Sequence, residues 1–155
     1  DDQLNHPRAQ VFGCEPDFNA YTKRKNPKPN PAHYGMRSAG GHIHVATKED
    51  KLEVIRAMDL FLGVPSVLMD DGVERKQMYG KAGAFRAKPY GVEYRTLSNF
   101  WVFEAKLIDW VWRNTERALG NLKASYMTDH VAECINTNNK KMAEALINEF
   151  NLEVV

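Results

Sequence analysis

The sequence predicts an α+β fold, a curved and mainly antiparallel sheet with helices packed on one side. Two observations carry this expectation. Around His42-Ile43-His44-Val45, and again from Gly91 to Leu97, polar and apolar residues alternate with the period of two that marks a half-buried strand. Apolar residues recur at helical spacing over 47–63, 102–118 and 138–150, opposite charged faces.

The totals set the frame. A chain of 155 residues fits one domain, so 1–155 is read as a single domain. With 43% apolar and 26% charged residues it is globular rather than disordered. Lysine and arginine number 21 against 20 acidic residues, a net charge of +1 that gives non-specific nucleic-acid binding no electrostatic support. No apolar run approaches the roughly 20 residues that cross a bilayer, and the opening Asp1-Asp2-Gln3 is not a signal peptide. Cys14 and Cys134 form neither a CxxC nor a metal spacing. A reduced, cytoplasmic protein is the expectation. The missing initiator Met leaves a processed chain or one part of a longer polypeptide.

Taken in order, Ala9 to Cys14 reads as a short apolar strand or helix end that stops at Gly13. Glu15-Pro16-Asp17 is a turn entering an extended segment, because proline disfavours helix at the residue before it. Asp17 and Asn19 then share one face, Phe18 and Ala20 the other. Residues 22–34 hold three prolines and four cations, a surface loop whose charge suits a phosphate-bearing or acidic substrate. Next comes Arg37-Ser38-Ala39-Gly40-Gly41-His42-Ile43-His44-Val45. As a strand it points His42 and His44 to one face and Ile43 and Val45 into a core, with bare glycine backbone beside the imidazoles. The same spacing also fits two polar residues on a solvated face.

Thr47 is the expected cap of an amphipathic helix that runs to Gly63. Val64 to Met69 reads as a short apolar strand and Asp70-Asp71-Gly72 as a turn. From Glu74 to Arg86, cations are interleaved with glycine and aromatics, which suits phosphate oxygens, although no P-loop motif is present. Between Pro89 and Trp101 a strand puts Gly91, Glu93, Arg95 and Leu97 on one face. Glu93 and Arg95 there form either an exposed ion pair or a metal ligand beside an anion clamp. Residues 102–118 form a helix with Phe103, Leu107, Trp110 and Val111 on its apolar side. Further helices are expected from about 128 to 134 and 138 to 150, the latter with Met142, Ala145, Leu146, Ile147 and Phe150 inward.

The polar faces collect Glu15 and Asp17, His42 and His44, the cations from Arg75 to Arg86, and Glu93 with Arg95. Carboxylates with an imidazole suit Mg²⁺ or Mn²⁺, and cations beside such an ion point to phosphate chemistry and a nucleotide-using enzyme.

Four segments carry a more specific resemblance: Phe12-Gly13-Cys14-Glu15-Pro16-Asp17-Phe18-Asn19, Arg37-Ser38-Ala39-Gly40-Gly41-His42-Ile43-His44, Tyr79-Gly80-Lys81-Ala82-Gly83, and Gly91-Val92-Glu93-Tyr94-Arg95-Thr96-Leu97-Ser98-Asn99-Phe100-Trp101. In this order they resemble the phage-type carboxylate–amine ligases (amidoligases) of the glutamine synthetase-like superfamily. The resemblance implies a catalytic domain like that of glutamine synthetase. It also implies an ATP- and metal-dependent ligase that phosphorylates a carboxylate and lets an amine attack the acyl phosphate, with peptides and proteins among the candidate substrates. Carried over by position, His42 and Glu93 resemble metal ligands, with Asp17 and then Glu15 as a carboxylate ligand from an earlier strand. Arg95 and Arg86 resemble catalytic cations at the transferred phosphoryl group. His44, Arg37, Arg75 and Lys81 are the candidate nucleotide-binding residues. A guanidino-type phosphotransferase and a non-catalytic relative are the other readings of the same scaffold. One departure stands out. The family usually begins with a further strand bearing acidic metal ligands, which residues 1–9 do not contain. Either an upstream segment or a second chain completes the site, or the site is incomplete and the protein is an inactive relative.

Overall fold

The computed structural model describes residues 17–27, 39–122 and 129–155. Four strands, β1 (Phe18–Asn19), β2 (Ile43–Ala46), β3 (Ala84–Lys88) and β4 (Gly91–Tyr94), form one antiparallel sheet in the order β1-β3-β4-β2. Helices α1 (Lys51–Met58), α2 (Val64–Met69), α3 (Arg75–Met78), α4 (Ala105–Gly120), α5 (Asp129–Thr137) and α6 (Lys140–Phe150) complete the described chain. Helix α1 lies against β3 and β4, α4 lies on α1, and α5 and α6 pack against α2. The α+β class with an antiparallel sheet is as expected. No helix among the described residues is long and apolar enough to cross a membrane.

Register sorts the sheet into two faces. Strands β3 and β4 form a hairpin closed by Pro89 and Tyr90, which pairs Lys88 with Gly91, Arg86 with Glu93 and Phe85 with Tyr94. Strand β2 adds His44 opposite Glu93 and Val45 opposite Val92. Directly opposed residues share a face. Phe85, Val92, Tyr94 and Val45 therefore form the buried, helix-covered side, and Arg86, Glu93 and His44 share the other. Gly91 is required at the turn: its φ is +153°, and a Cβ there would collide with the Val45 carbonyl oxygen. Strand β3 was hidden in the sequence within the cationic run 74–86, where no strand was expected.

Several expectations need correction. Asp50, not Thr47, caps α1, its Oδ1 accepting from the N–H groups of Leu52 (2.9 Å) and Glu53 (3.0 Å). Thr47 Oγ1 accepts from Glu49 N–H one turn earlier. Val64 to Met69 is helix rather than strand. The chain runs from α1 through a π-helical turn, Asp59–Gly63, straight into α2. An apolar hexamer buried on all sides reads alike in either conformation. Pro65 falls in the first turn of α2, just after the π turn, where its missing N–H is tolerated.

Helix α4 starts at Ala105, so Phe103 precedes it and is 84% exposed instead of lining the core. Its buried side is Trp110, Val111, Asn114 and Ala118, while Ile108 (45% exposed) and Trp112 (68%) face outward. In α6, Ala143 and Leu146 are buried and Ala145 is exposed. The segment 9–14 lies outside the described residues. Cys134 is buried and free.

Candidate active site

The polar face of the sheet gathers side chains from all four strand regions. Asp17 directly precedes β1, whose Phe18 pairs with Phe85, so Asp17 falls beside Arg86, with Arg86 Nε 3.5 Å from Asp17 Oδ1. Arg95 follows β4, and its N–H donates to the Ala84 carbonyl (2.9 Å), which keeps it in the ladder and on the face of Glu93. Its guanidinium lies at the centre. Nε is 2.7 Å from Asp17 Oδ1, while Nη1 pairs with Glu93 Oε1 and donates to His42 Nδ1 at 3.0 Å. His42 Nδ1 is also 3.3 Å from Glu93 Oε1, and Lys88 Nζ reaches Glu93 Oε2 at 2.8 Å.

The electrostatics follow from burial and crowding. Asp17, Glu93 and Arg95 are 6%, 4% and 5% exposed, and they carry two carboxylates against the three cations Arg86, Lys88 and Arg95. Burial alone pushes Glu93 up, but hydrogen bonds from Lys88 and Arg95 outweigh it and hold the carboxyl down at about 2. Asp17 is raised, because burial outweighs the attraction of Arg95 and Arg86. Burial, then Arg95, lower His42 to about 4, so its imidazole is neutral near pH 7. With Arg95 Nη1 donating to Nδ1, the tautomer assigned to His42 carries its proton on Nε2. Asp17 Oδ1 and Arg95 Nε are close enough to attract but too poorly aligned to hydrogen-bond. Both are buried without a hydrogen-bond partner.

A second set of contacts supports the cluster from beneath. Asp59, in the π turn, is fully buried and accepts from Gly83 N–H (2.6 Å), Tyr94 Oη–H (2.8 Å) and Thr96 Oγ1–H (2.9 Å). Tyr94 and Thr96 flank Arg95, so Asp59 pins the backbone on both sides of it. Arg75 donates from Nη1 to the Thr96 carbonyl and from Nη2 to the Leu97 carbonyl, both at 3.0 Å. The glycine pair serves this same stretch. Gly40 bridges to Ser98 and Gly41 N–H donates to the Leu97 carbonyl at 3.2 Å. A Cβ on Gly41 would meet the Ser98 carbonyl and the Trp101 ring. At Gly41 the bare backbone faces the chain's own residues 97–101; Gly40 is exposed, and a Cβ there would meet the His42 ring and Arg75.

Of the sequence-derived candidates, His42, Glu93, Arg95, Asp17 and Arg86 meet on one face. His44 is on that face further from the centre, its Nδ1 2.5 Å from Tyr90 Oη. Arg75 is buried and commits both terminal nitrogens to main-chain carbonyls. Lys81 sits in the turn before β3, where its carbonyl accepts from Thr96 Oγ1 at 3.3 Å. Glu15 and Arg37 lie outside the described residues. Lys88 was missed, although it stands two residues after Arg86 in an alternating run that ends at Pro89. Tyr90 and Asp59 were missed as well.

Among the described residues, no three His, Cys, Asp or Glu side chains converge on a metal position. The pair His42 and Glu93 fits an ion that takes its other ligands from phosphate oxygens and water, as Mg²⁺ commonly does, and not a closed protein cage.

No curated protein and no solved structure matches the chain. The profile of one family, phage phiEco32-like COOH.NH2 ligase-type 2, matches residues 31–114, a span that contains β2, β3, β4 and every residue of the cluster except Asp17. By that match, over more than half its length, the chain belongs to the phage phiEco32-like COOH.NH2 ligase family, type 2.

Proposed function

We propose that the protein joins a carboxylate to an amine at the expense of ATP, through an acyl phosphate, on a scaffold like that of glutamine synthetase. The observation that carries this reading is the position of Arg95. One guanidinium touches Asp17, Glu93 and His42 at once and still has a buried, unaligned Nε. Such a group suits a planar or tetrahedral anion gripped through two nitrogens. Arg86, 3.5 Å from Asp17, adds a second cation on the same face, and phosphoryl transfer asks mainly for positioned positive charge.

In this reading His42 and Glu93 hold Mg²⁺, which when bound neutralises the phosphates. Glu93, held at about 2, is ionised throughout the working range, and His42, lowered to about 4, is neutral; to ligate the ion through Nδ1 it would give up the hydrogen bond from Arg95. Arg95 and Arg86 hold the transferred phosphoryl group and the substrate carboxylate. Lys88 balances the charge of Glu93 from its other oxygen. His44, Lys81 and Arg37 remain the proposed nucleotide contacts. Arg75 is better read as a positioning residue for residues 96 and 97, since both of its terminal nitrogens donate to their carbonyls.

The test is release of ADP from ATP and Mg²⁺ across a panel of carboxylates and amines. The expected result is release that needs both, abolished by Glu93→Gln and by His42→Ala while circular dichroism stays unchanged. Release with neither substrate, or transfer of phosphate to a guanidino acceptor, contradicts the ligase reading. Unfolding of both variants would show the two residues to be structural.

A further inference from the structure

Strand β2 ends the sheet, and among the described residues nothing pairs with its outer edge. The ladder fixes which groups are open. Thr47 N–H donates to the Tyr90 carbonyl at 2.9 Å, so residues 43, 45 and 47 turn their main chain toward β4. The N–H and C=O groups of His44 and Ala46 therefore point outward. Beside this edge runs a groove of about 490 Å³, with His42 and the β2 residues 43–46 as one wall and Ile108, Val111, Trp112 and Leu119 of α4 as the other. Ile108 and Trp112 are one helical turn apart and exposed. An open strand edge next to an apolar helix face is the arrangement that takes up an extended peptide by strand addition.

The groove is continuous with the candidate active site, because His42 and His44 line both. Its charge is uneven. At the His42 end the carboxylates Asp17 and Glu93 are outnumbered by Arg95, 3.0 Å from the imidazole, Arg86, Lys88 and Arg75, whereas the groove lining itself includes the carboxylate of Glu116. An anionic chain terminus belongs at that end. Resting on the ligase reading, we propose that the carboxylate substrate is a peptide C-terminus, bound as a fifth strand antiparallel to β2. Its backbone pairs with His44 and Ala46, alternate apolar side chains lie on Ile108 and Trp112, and its terminal carboxylate reaches His42 and Arg95. About four residues pair, a length of roughly 13 Å at the usual strand rise.

The test uses fluorescein-labelled peptides Ser-X-Thr-X-Ala, with X as Leu, Val or Phe, each made as the free acid and as the C-terminal amide. Anisotropy is read with the full chain and without nucleotide or metal. The expected result is binding of the free acid at least tenfold tighter than that of the amide. Trp112→Glu should weaken it at least tenfold without cutting into the core, since Trp112 is 68% exposed. Ala46→Pro should do the same, because it removes one outward N–H and no bond to β4. Thermal melts check that both variants fold. Equal binding of acid and amide, or affinity unmoved by either folded variant, overturns the proposal. So does the absence of binding up to 1 mM across the set, or a dimer in sedimentation that Ala46→Pro dissociates, which would give the edge to a second copy of the chain. Peptide binding without any ligase activity counts against the ligase reading alone. ADP release driven by small carboxylates, with no peptide bound, counts against the groove alone.

Discussion

Replacing Asp59 by Asn should change how stability depends on pH, and the size of the change can be worked out. Asp59 is wholly buried in the π turn and accepts from Gly83, Tyr94 and Thr96. Burial pushes its carboxyl from 3.8 up to about 6, against the pull of those hydrogen bonds. Between these values the folded chain holds a proton that the unfolded chain has released. Stability therefore falls as pH rises from about 3.8 to about 6, and is flat above that. The interval is worth roughly 3 kcal/mol. Asparagine has the same shape and does not titrate. Its carbonyl oxygen can take the Gly83 N–H while its amide donates to the two hydroxyls, which rotate to accept. The stability of Asp59→Asn relative to the parent should thus improve by roughly 3 kcal/mol between pH 4 and pH 7. Urea unfolding followed by tryptophan fluorescence at several pH values measures this directly. Stability curves that run parallel would refute the reasoning.

Other outcomes follow from the same geometry. Asp59→Ala leaves the Gly83 N–H unpaired, while Thr96 Oγ1 and Tyr94 Oη keep the Lys81 and Met58 carbonyls at 3.3 and 3.4 Å, and in urea unfolding at pH 4 it should cost about 1–3 kcal/mol or more. Arg95→Lys should lower ligase turnover at least tenfold while the thermal midpoint moves little, because lysine keeps the charge but cannot grip an anion through two nitrogens. The ring protons of His42 should show no titration by NMR until pH falls toward about 4, and folding should weaken as pH drops from 6.5 to that value, since the folded state resists charging the imidazole. Gly91→Ala should destabilise the protein by about 2 kcal/mol or more in denaturant titrations, because the new Cβ meets the Val45 carbonyl at a φ that suits glycine.

Much of the site could be read from the chain because strands announce their faces. Asp17, His42, Glu93 and Arg95 each stand in an alternating run whose apolar partners reveal which way the polar ones point. Which strands adjoin could not be read, since pairing joins residues as far apart as Phe18 and Phe85. Strand β3 was masked by its own charge: Arg86 reads as one of a run of phosphate-binding cations and Lys88 stands out in no way until the hairpin with β4 sets both beside Glu93. Arg75 shows the limit of reading by residue type. A guanidinium suits phosphate and carbonyl oxygens alike, and here the fold supplies two carbonyls. Val64 to Met69 failed for the opposite reason, because a short run buried on every side has no period to read. Asp59 falls within the span read as an amphipathic helix and carries no signal of its own there; in the structure it opens the π turn and is fully buried.

The two-residue turn at Pro89 and Tyr90 is where the site is most fragile. Side chains change sides of a sheet with every residue, so an insertion there would slide β4 by one step against β3. Arg86 would then face an apolar neighbour, and Glu93 would lose both Arg86 and His44 across the ladder. A descendant lengthened by one amino acid at that bend would retain every chemically competent group and have nothing left for them to act on together.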